Sequence, residues 1–357
     1  MKQEVLKTII EAAVRAPSLC NMQPWRFRST SGGLEIRLQQ THPAGFFEAG
    51  YRCLDFSAGA VIENIRVAAN CEGYEPLVRY LPDSEEPLWA ATVTFKERVI
   101  VEHPHRPALW TRRTNRAIYR PWPPIASQTY RDIQDAIGVE DDFTLRWVKR
   151  SHSAYGPLGR MACRCAQMCF ENRQIHRELA QMLGVDPASG QRQADALDHR
   201  SFGLGSLGRP AIGLAGSWQR VERLNRFGLS GLYYLYNRLR MSSSEAVGLF
   251  VAKRFERANF LYGGQLMQRL WHEITRQRLC MQPIMPLPIF MWNLELNAGG
   301  CLSSDQKRKG EDCARRLERL AVCKNGEKVM FMFRIGAAAM PKTGSARRPV
   351  DTFLEFS

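Results

Sequence analysis

The chain has 357 residues, 45% hydrophobic and 24% charged, the balance of a folded protein with one large core or two ordinary domains rather than of a disordered one. Its formal charge of +15 favours anionic ligands or partners, yet no zinc finger, homeodomain-like recognition helix or RNP-like strand accompanies it, so no nucleic-acid partner is expected. The polar start Met1-Lys2-Gln3-Glu4 does not read as a signal peptide, and no window approaches the roughly 20 apolar residues of a membrane span; a cytoplasmic protein with free, dispersed cysteines and no membrane partner is expected.

Residues 5–15 place Val5, Leu6, Ile9, Ile10, Ala13 and Val14 at helical spacing, and Pro17 ends that helix. A polar loop from Ser18 to Trp25 follows, then a short alternating strand over 33–39. An Ala- and Gly-rich helix is expected from Phe56 to Cys71, with strands over Leu77–Tyr80 and Trp89–Val101. A linker from His103 to Leu109 leads to the run TRRTNRAIYRPWPPI. Beyond it the pattern predicts a helix over 127–137, a strand over 143–149 and one long helix over 154–183. Residues 184–245, with seven glycines from Gly203 to Gly231 and a cluster of Tyr233, Tyr234 and Tyr236, read as an insertion of irregular structure and short helices. A strand over 246–252, a helix over 257–278, a proline-rich loop over 283–288, a helix near 307–320 and a strand over 328–335 complete the pattern. Helices alternating with isolated strands argue for an α+β fold. A faint repeat is also visible, each half carrying a long helix rich in small residues.

The sharpest local feature is Ala16 to Trp25, APSLCNMQPW. Ser18, Asn21 and Gln23 offer hydroxyl and amide groups that donate and accept together, suited to a ribityl chain or a uracil-like edge. A capped turn anchored by a core tryptophan competes with that reading. The second feature is Arg112, Arg113 and Arg116 around Thr114 and Asn115, a phosphate cradle because guanidinium forks pair with phosphate oxygens; a solvated charge cluster is the bland alternative. Arg347 and Arg348 near the end either close over the same phosphate or form a basic tail.

Together these segments resemble the nitroreductase superfamily, flavoproteins that bind FMN in an α+β fold at a dimer interface. Arg112 to Arg116 resembles the family's RRSxR motif with threonine for serine, and Ala16, Pro17, Ser18, Asn21, Gln23, Pro24 and Trp25 resemble its APSxxNxQPW segment. The resemblance places Met281, Gln282 and Pro283 beside the isoalloxazine, and Arg347 or Arg348 on the phosphate. The order of the two motifs is reversed here. That resembles the fused subgroup, in which one chain holds two degenerate copies and imitates the dimer. The resemblance therefore implies two nitroreductase-like halves, 1–102 and 103–357, with central antiparallel sheets and 184–245 as an insertion or lid. It implies one FMN per chain, shared between Ser18, Asn21, Gln23 and the arginine motif. The implied activity is hydride transfer between a donor such as NAD(P)H and a small organic substrate, or oxidation of a small organic or peptide-derived one; a flavin-sequestering protein without turnover is the alternative. Either a pseudo-dimeric monomer or a homodimer is compatible with it. No side chain is singled out as catalytic, since the cofactor carries the hydride chemistry.

Other constellations carry less. Cys163, Cys165 and Cys169 fall within one helix without a second ligand set at metal spacing, and read as core thiols. His103 and His105 flank Pro104 in the linker, a weak pattern. GLGSLG at 203–208 imitates a dinucleotide fingerprint without a leading strand or a ribose-binding acid. No metal site is expected.

Overall fold

The computed structural model describes the chain except residues 41–44, 121–122, 139, 185–207, 297–299, 321–322, 325, 342–343 and 357. The first helix, α1 (Gln3–Ala13), buries Leu6, Ile9, Ile10 and Ala13 along one stripe. A single 3₁₀ turn (Leu19–Asn21) then brings the chain into β1 (Trp25–Thr30), which hairpins with β2 (Gly33–Leu38). Next come α2 (Arg52–Cys71), β3 (Tyr74–Tyr80) and β4 (Trp89–Glu97). The middle of the chain supplies α3 (Arg106–Thr111), α4 (Ser127–Asp135), β5 (Phe143–Lys149), α5 (Tyr155–Glu171) and α6 (Arg173–Met182). Three further helices, α7 (Gly208–Ala215), α8 (Trp218–Asn225) and α9 (Leu229–Ser242), precede β6 (Ala246–Ala252). The last elements are α10 (Arg257–Arg276), β7 (Cys280–Pro283), α11 (Pro286–Glu295), α12 (Ser304–Arg319), β8 (Lys328–Gly336) and β9 (Leu354–Phe356).

The strands form two separate sheets, in the orders β3-β4-β2-β1-β9 and β5-β6-β8-β7. Every pairing is antiparallel except β1 with β9, where Phe27 lies opposite Leu354. This is the α+β architecture of a duplicated, pseudo-dimeric fold, with α2 and α10 buried along nearly their whole length between the sheets. β6 and β8 are buried on both faces, which is why they read as continuous apolar runs rather than alternating ones. The far C-terminus crosses back to the edge of the first sheet, so its last strand completes a layer begun by residues 25–97.

Several sequence expectations need correction. The expected long helix over 154–183 is two helices: Asn172 is extended (φ −109°, ψ 120°) and its Oδ1 accepts from the backbone N–H groups of Gln174 and Ile175 at 3.0 and 3.1 Å, capping a new helix. The proline-rich stretch over 283–288 is the end of β7 followed by the first turn of α11. Pro286 and Pro288 sit there because their missing N–H groups lie where a helix needs none. The linker over 103–109 runs into α3 on the same logic, with Pro107 in its first turn. Trp25 opens a strand rather than closing a loop. Most of GLGSLG, and much of the region over 184–245, lies outside the described residues. Among the described residues no helix is long and apolar enough to cross a membrane, and no group of three or more His, Cys, Asp or Glu side chains is placed to hold a metal. Cys163, Cys165 and Cys169 are buried in α5, and all ten cysteines are free thiols.

Candidate functional site

Two adjoining cavities of 270 and 250 Å³ open between α1, α2, α10 and the C-terminal segment. They share Pro17, Ser18, Cys20, Thr114 and Arg116 as a common wall. The first is largely apolar, walled by Phe56, Met267, Trp271, Pro283, Ile289 and Phe331. The second is basic, with Arg15, Arg112, Arg113 and Arg347 around it and the backbone of 344–346 on one side. Each is of modest size, and jointly they fall in the several-hundred Å³ range of small-ligand sites.

The loop over Ser18–Pro24 keeps its shape by an unusual run of left-handed residues: Cys20 at φ 47°, Asn21 at 65° and Gln23 at 51°. Such values are uncommon outside glycine and cluster where a backbone is held for a purpose. Ser18 Oγ accepts the Gln23 backbone N–H at 3.0 Å, closing the loop on itself. Asn21 donates from Nδ2 to the Ala346 carbonyl at 3.0 Å, and its Oδ1 accepts from Arg347 Nη1 at 2.7 Å. Gln23 Oε1 accepts the Arg348 N–H at 3.2 Å. The loop and the C-terminal segment therefore position one another.

Arg112 to Arg116 is stapled from the other side. Asn115 donates its backbone N–H to the Met281 carbonyl at 2.9 Å and its Nδ2 to the Ala339 carbonyl at 2.9 Å. Thr114 forms a parallel bridge with Met281. The arginines face inward as a result. Arg112 is buried with its guanidinium 4.4 Å over the Trp271 ring and one N–H on the Arg15 carbonyl at 2.9 Å. Arg113 donates to the carbonyls of Trp110 and Arg112 at 2.8 and 3.0 Å. Arg347 donates to the carbonyls of Val14, Ala16 and Arg15 at 2.6, 2.9 and 3.1 Å.

Among the described residues, none of Arg112, Arg113 and Arg347 has a carboxylate partner, and the electrostatics register it. Burial, then the charges of Arg347 and Arg113, pushes Arg112 down to about 9. Burial, then Arg15 and Arg113, pushes Arg347 down to about 10. Arg116 falls to about 10 through burial and the charge of Arg240 on α9. Burial and Arg15 lower Arg113 as well. The guanidiniums of Arg112, Arg113 and Arg347, held by carbonyl oxygens and, for Arg112, by the Trp271 ring, are an incomplete arrangement, and an anion completes it. Cys20, at the junction, stays a neutral thiol: burial raises it to about 12 against the pull of Arg116.

Of the residues singled out in the sequence, Ser18, Asn21, Arg112, Arg113, Arg116, Pro283 and Arg347 line the two cavities. Gln23, Met281, Gln282 and Arg348 are not among the lining residues. Gln23 braces the loop. Met281 contributes its carbonyl to Asn115 while its side chain packs in the core. Gln282 spends Oε1 on two arginines, Arg240 at 3.0 Å and Arg334 at 2.7 Å. The sequence reading missed Arg15, Trp271 and the apolar wall. Trp271 carries no motif of its own, and only the stacking of Arg112 marks it. Tyr233, from the tyrosine cluster, reaches the apolar cavity from α9 and stacks on Phe170 at 4.3 Å.

The profile of the nitroreductase family matches residues 1–75. The chain is similar to the putative NAD(P)H nitroreductase acg of Mycobacterium tuberculosis, 31% identical over 116 residues, covering 32% of this chain and 35% of the relative. It is similar also to the putative NAD(P)H nitroreductase Rv3131 of that organism, 32% identical over 128 residues and covering 34% and 36% of the two chains. The matched stretches thus span about a third of these relatives' length. The uncharacterised protein MT1398 is 25% identical over 295 residues, 81% of this chain and 40% of its own. Among solved structures, the FMN-dependent nitroreductase NfnB of Mycobacterium smegmatis in complex with NADPH superposes with a TM-score of 0.38 at 16% identity, covering 69% of this chain and 94% of that one.

Proposed function

Because the chain belongs to the nitroreductase superfamily, we propose that it binds one FMN and acts as an FMN-dependent oxidoreductase. The carrying observation is the paired cavity: uncompensated guanidiniums on one side, an apolar slot on the other, and Ser18, Thr114 and Arg116 between them. A phosphate, a polyhydroxyl chain and a flat apolar ring in that order match these three environments. Arg112, Arg113 and Arg347 would hold the phosphate, with Arg348 and Gln23 bracing the segment that carries Arg347. Ser18 and Asn21 would face the ribityl chain, and Trp271, Phe56 and Pro283 the ring. FMN, when bound, supplies hydride acceptance and donation. The chain's own part is to bind and orient it, exclude water and hold positive charge from Arg116 near the ring's pyrimidine edge.

NAD(P)H, which the two putative NAD(P)H nitroreductases of Mycobacterium tuberculosis carry in their names, is the proposed electron donor, and a small organic molecule the proposed acceptor. The motifs meet from the two proposed halves, 1–102 and 103–357, which gives one composite site per chain whether the protein is a pseudo-dimeric monomer or pairs again. Absorption of the purified protein in the flavin region, with the released cofactor weighed by mass, tests the reading. A colourless protein that fails to take up added FMN overturns it. A second reading, flavin sequestration without turnover, is favoured by Tyr233, since it brings α9 of the proposed 184–245 lid against the apolar cavity. Rapid reoxidation of the reduced protein by a quinone or nitroaromatic acceptor decides against sequestration.

A further inference from the structure

The outward face of α9 is apolar where a surface helix is normally polar. Leu232, Leu235 and Leu239 are 65%, 63% and 53% exposed, and Phe227 in the turn before the helix is 88% exposed. The three leucines fall at i, i+3 and i+7, a single stripe. The opposite face is occupied: Tyr233 stacks on Phe170, Ser230 and Met241 are buried, and Arg240 reaches Gln282. Scattered exposed leucines need no explanation, but an aligned stripe with a protruding phenylalanine does.

Basic side chains dominate the segment that carries this stripe. Residues 208–242 contain six arginines and one acid, Glu222. Arg220, Arg223 and Arg226 on and after α8 are exposed, and Arg238 lies on the flank of α9 toward Gly159 of α5. Along that flank a 710 Å³ groove between α5, α9 and α12 adds Arg160, Arg164, Arg308, Lys309, Arg315 and Arg316 around Asp312. Asp305 and Asp312 neutralise only part of it.

We propose that this face, Leu232, Leu235, Leu239 and Phe227, with exposed Arg220, Arg223 and Arg226 on the preceding helix and turn and Arg238 on the flank of α9, docks on an anionic phospholipid surface. Charge and shape choose the occupant. A second copy of the chain would bring the same net positive segment, six arginines against one acid over 208–242, against itself. A folded protein partner would need a groove for a stripe that stands out on a single convex helix. A bilayer interface accepts protruding apolar side chains and rewards a basic rim. The sequence expectation of no membrane partner rested on the absence of a spanning segment, which an interfacial face does not require. The proposal does not depend on the flavin reading.

Flotation of the full chain with vesicles tests it, using phosphatidylcholine mixed with phosphatidylglycerol and phosphatidylcholine alone. The expected result is binding to the mixed vesicles that weakens with added salt, and little binding to the neutral ones. The triple variant Leu232→Gln, Leu235→Gln, Leu239→Gln should bind at least about tenfold more weakly with an unchanged circular dichroism spectrum, since these side chains carry the interfacial burial. Phe227→Ser, outside the helix, should weaken binding in the same direction without any risk to α9. Failure of the wild-type chain to float, or equal flotation of the triple variant, overturns the proposal. A dimer in light scattering that the triple variant converts to monomer also overturns it, by assigning the face to a second copy.

Discussion

A Cβ placed on Gly59 would stand 2.9 Å from the Cα of Gly264, and one placed on Gly264 would stand 3.0 Å from the Cα of Phe56. The helices α2 and α10 therefore cross backbone to backbone, with no side chain between them. That crossing fixes the distance between the two layers of the fold, and with it the width of the apolar cavity, since Phe56 and Ser57 on α2 and Met267 and Trp271 on α10 are all part of its wall.

Gly264→Ala is accordingly expected to destabilise the chain by at least about 3 kcal/mol, the upper range for overpacking, because the colliding atoms are backbone and cannot rotate away. Gly231→Ala on α9 is the contrast. Nothing lies within 4 Å of its added methyl, so the usual helical preference should stabilise by about 0.5–1 kcal/mol. Urea midpoints of the two variants check both signs, and a neutral Gly264→Ala would mean that the helices do not meet there.

Arg112 leads to an expectation of opposite signs in two states. Its charge is buried against Trp271 and crowded by Arg347 and Arg113. Arg112→Met keeps the stem packing and removes the cation. The ligand-free protein should then gain about 1–3 kcal/mol, as when an uncompensated buried charge is replaced by an apolar group. FMN affinity should fall by about 1.5–3 kcal/mol, roughly ten- to 150-fold, with the loss of a charge-assisted phosphate contact. Arg113→Ala should lose affinity by a similar factor. Thermal melts without flavin and equilibrium dialysis with it separate the two effects. A fall in both would show Arg112 to be a structural residue.

What was legible in the sequence follows from how local each signal is. The loop after Pro17 and the run Arg112–Arg116 carry their chemistry in adjacent residues, and the fold brings them to one wall. Helical spacing likewise marked α1 and α10, because burial of one stripe imposes it. Met281 and Gln282 are named by the resemblance, and what occupies their polar groups is non-local: Arg334 and Arg240 arrive from β8 and α9 to take the Gln282 amide oxygen, and Asn115 takes the Met281 carbonyl. Arg15 and Trp271 were invisible because packing across the α2–α10 crossing, rather than any pattern, makes them part of the site. The split at Asn172 was missed since a capping asparagine inside an apolar-periodic stretch looks like one more polar position.

Two buried glutamates set opposite pH dependences. Burial alone would raise Glu63, but hydrogen bonds from Arg66 and the charges of Arg269 and Arg66 outweigh it and hold the carboxyl at about 2. A depressed folded value means stability that is present above the unfolded value and lost as pH falls from about 4.5 toward 2. Glu48 is the reverse: burial, then the charges of Asp55 and Glu178, raises it to about 7, and its Oε2 has no hydrogen-bond partner among the described residues. The folded state binds the extra proton, so stability falls as pH rises from about 4.5 through 7. Glu48→Gln should flatten that descending limb and leave the acid limb unchanged, while Glu63→Gln should flatten the acid limb and lower stability at the pH values above it, by leaving Arg66 and Arg269 short of a partner. Unfolding free energies of both variants against pH decide it, and a Glu48→Gln curve superposing on the wild type would rule out the first assignment.

Asn21 joins the loop to the basic segment through both ends of its amide, Oδ1 to Arg347 and Nδ2 to Ala346. Its backbone is left-handed at φ 65°, so Asn21→Ala changes two things at once, side chain and conformational cost. Asn21→Gly separates them, since glycine takes that conformation freely. If the amide's task is to hold Arg347 at the cavity, both variants should weaken FMN binding by a similar factor, roughly ten- to 150-fold for the loss of one hydrogen bond to a charged group. Asn21→Ala should lower the stability of the flavin-free chain by about 1 kcal/mol more than Asn21→Gly does. Flavin affinity restored to the wild-type value in Asn21→Gly would assign Asn21 to loop geometry alone, and remove it from the group of residues that place the phosphate-facing arginine.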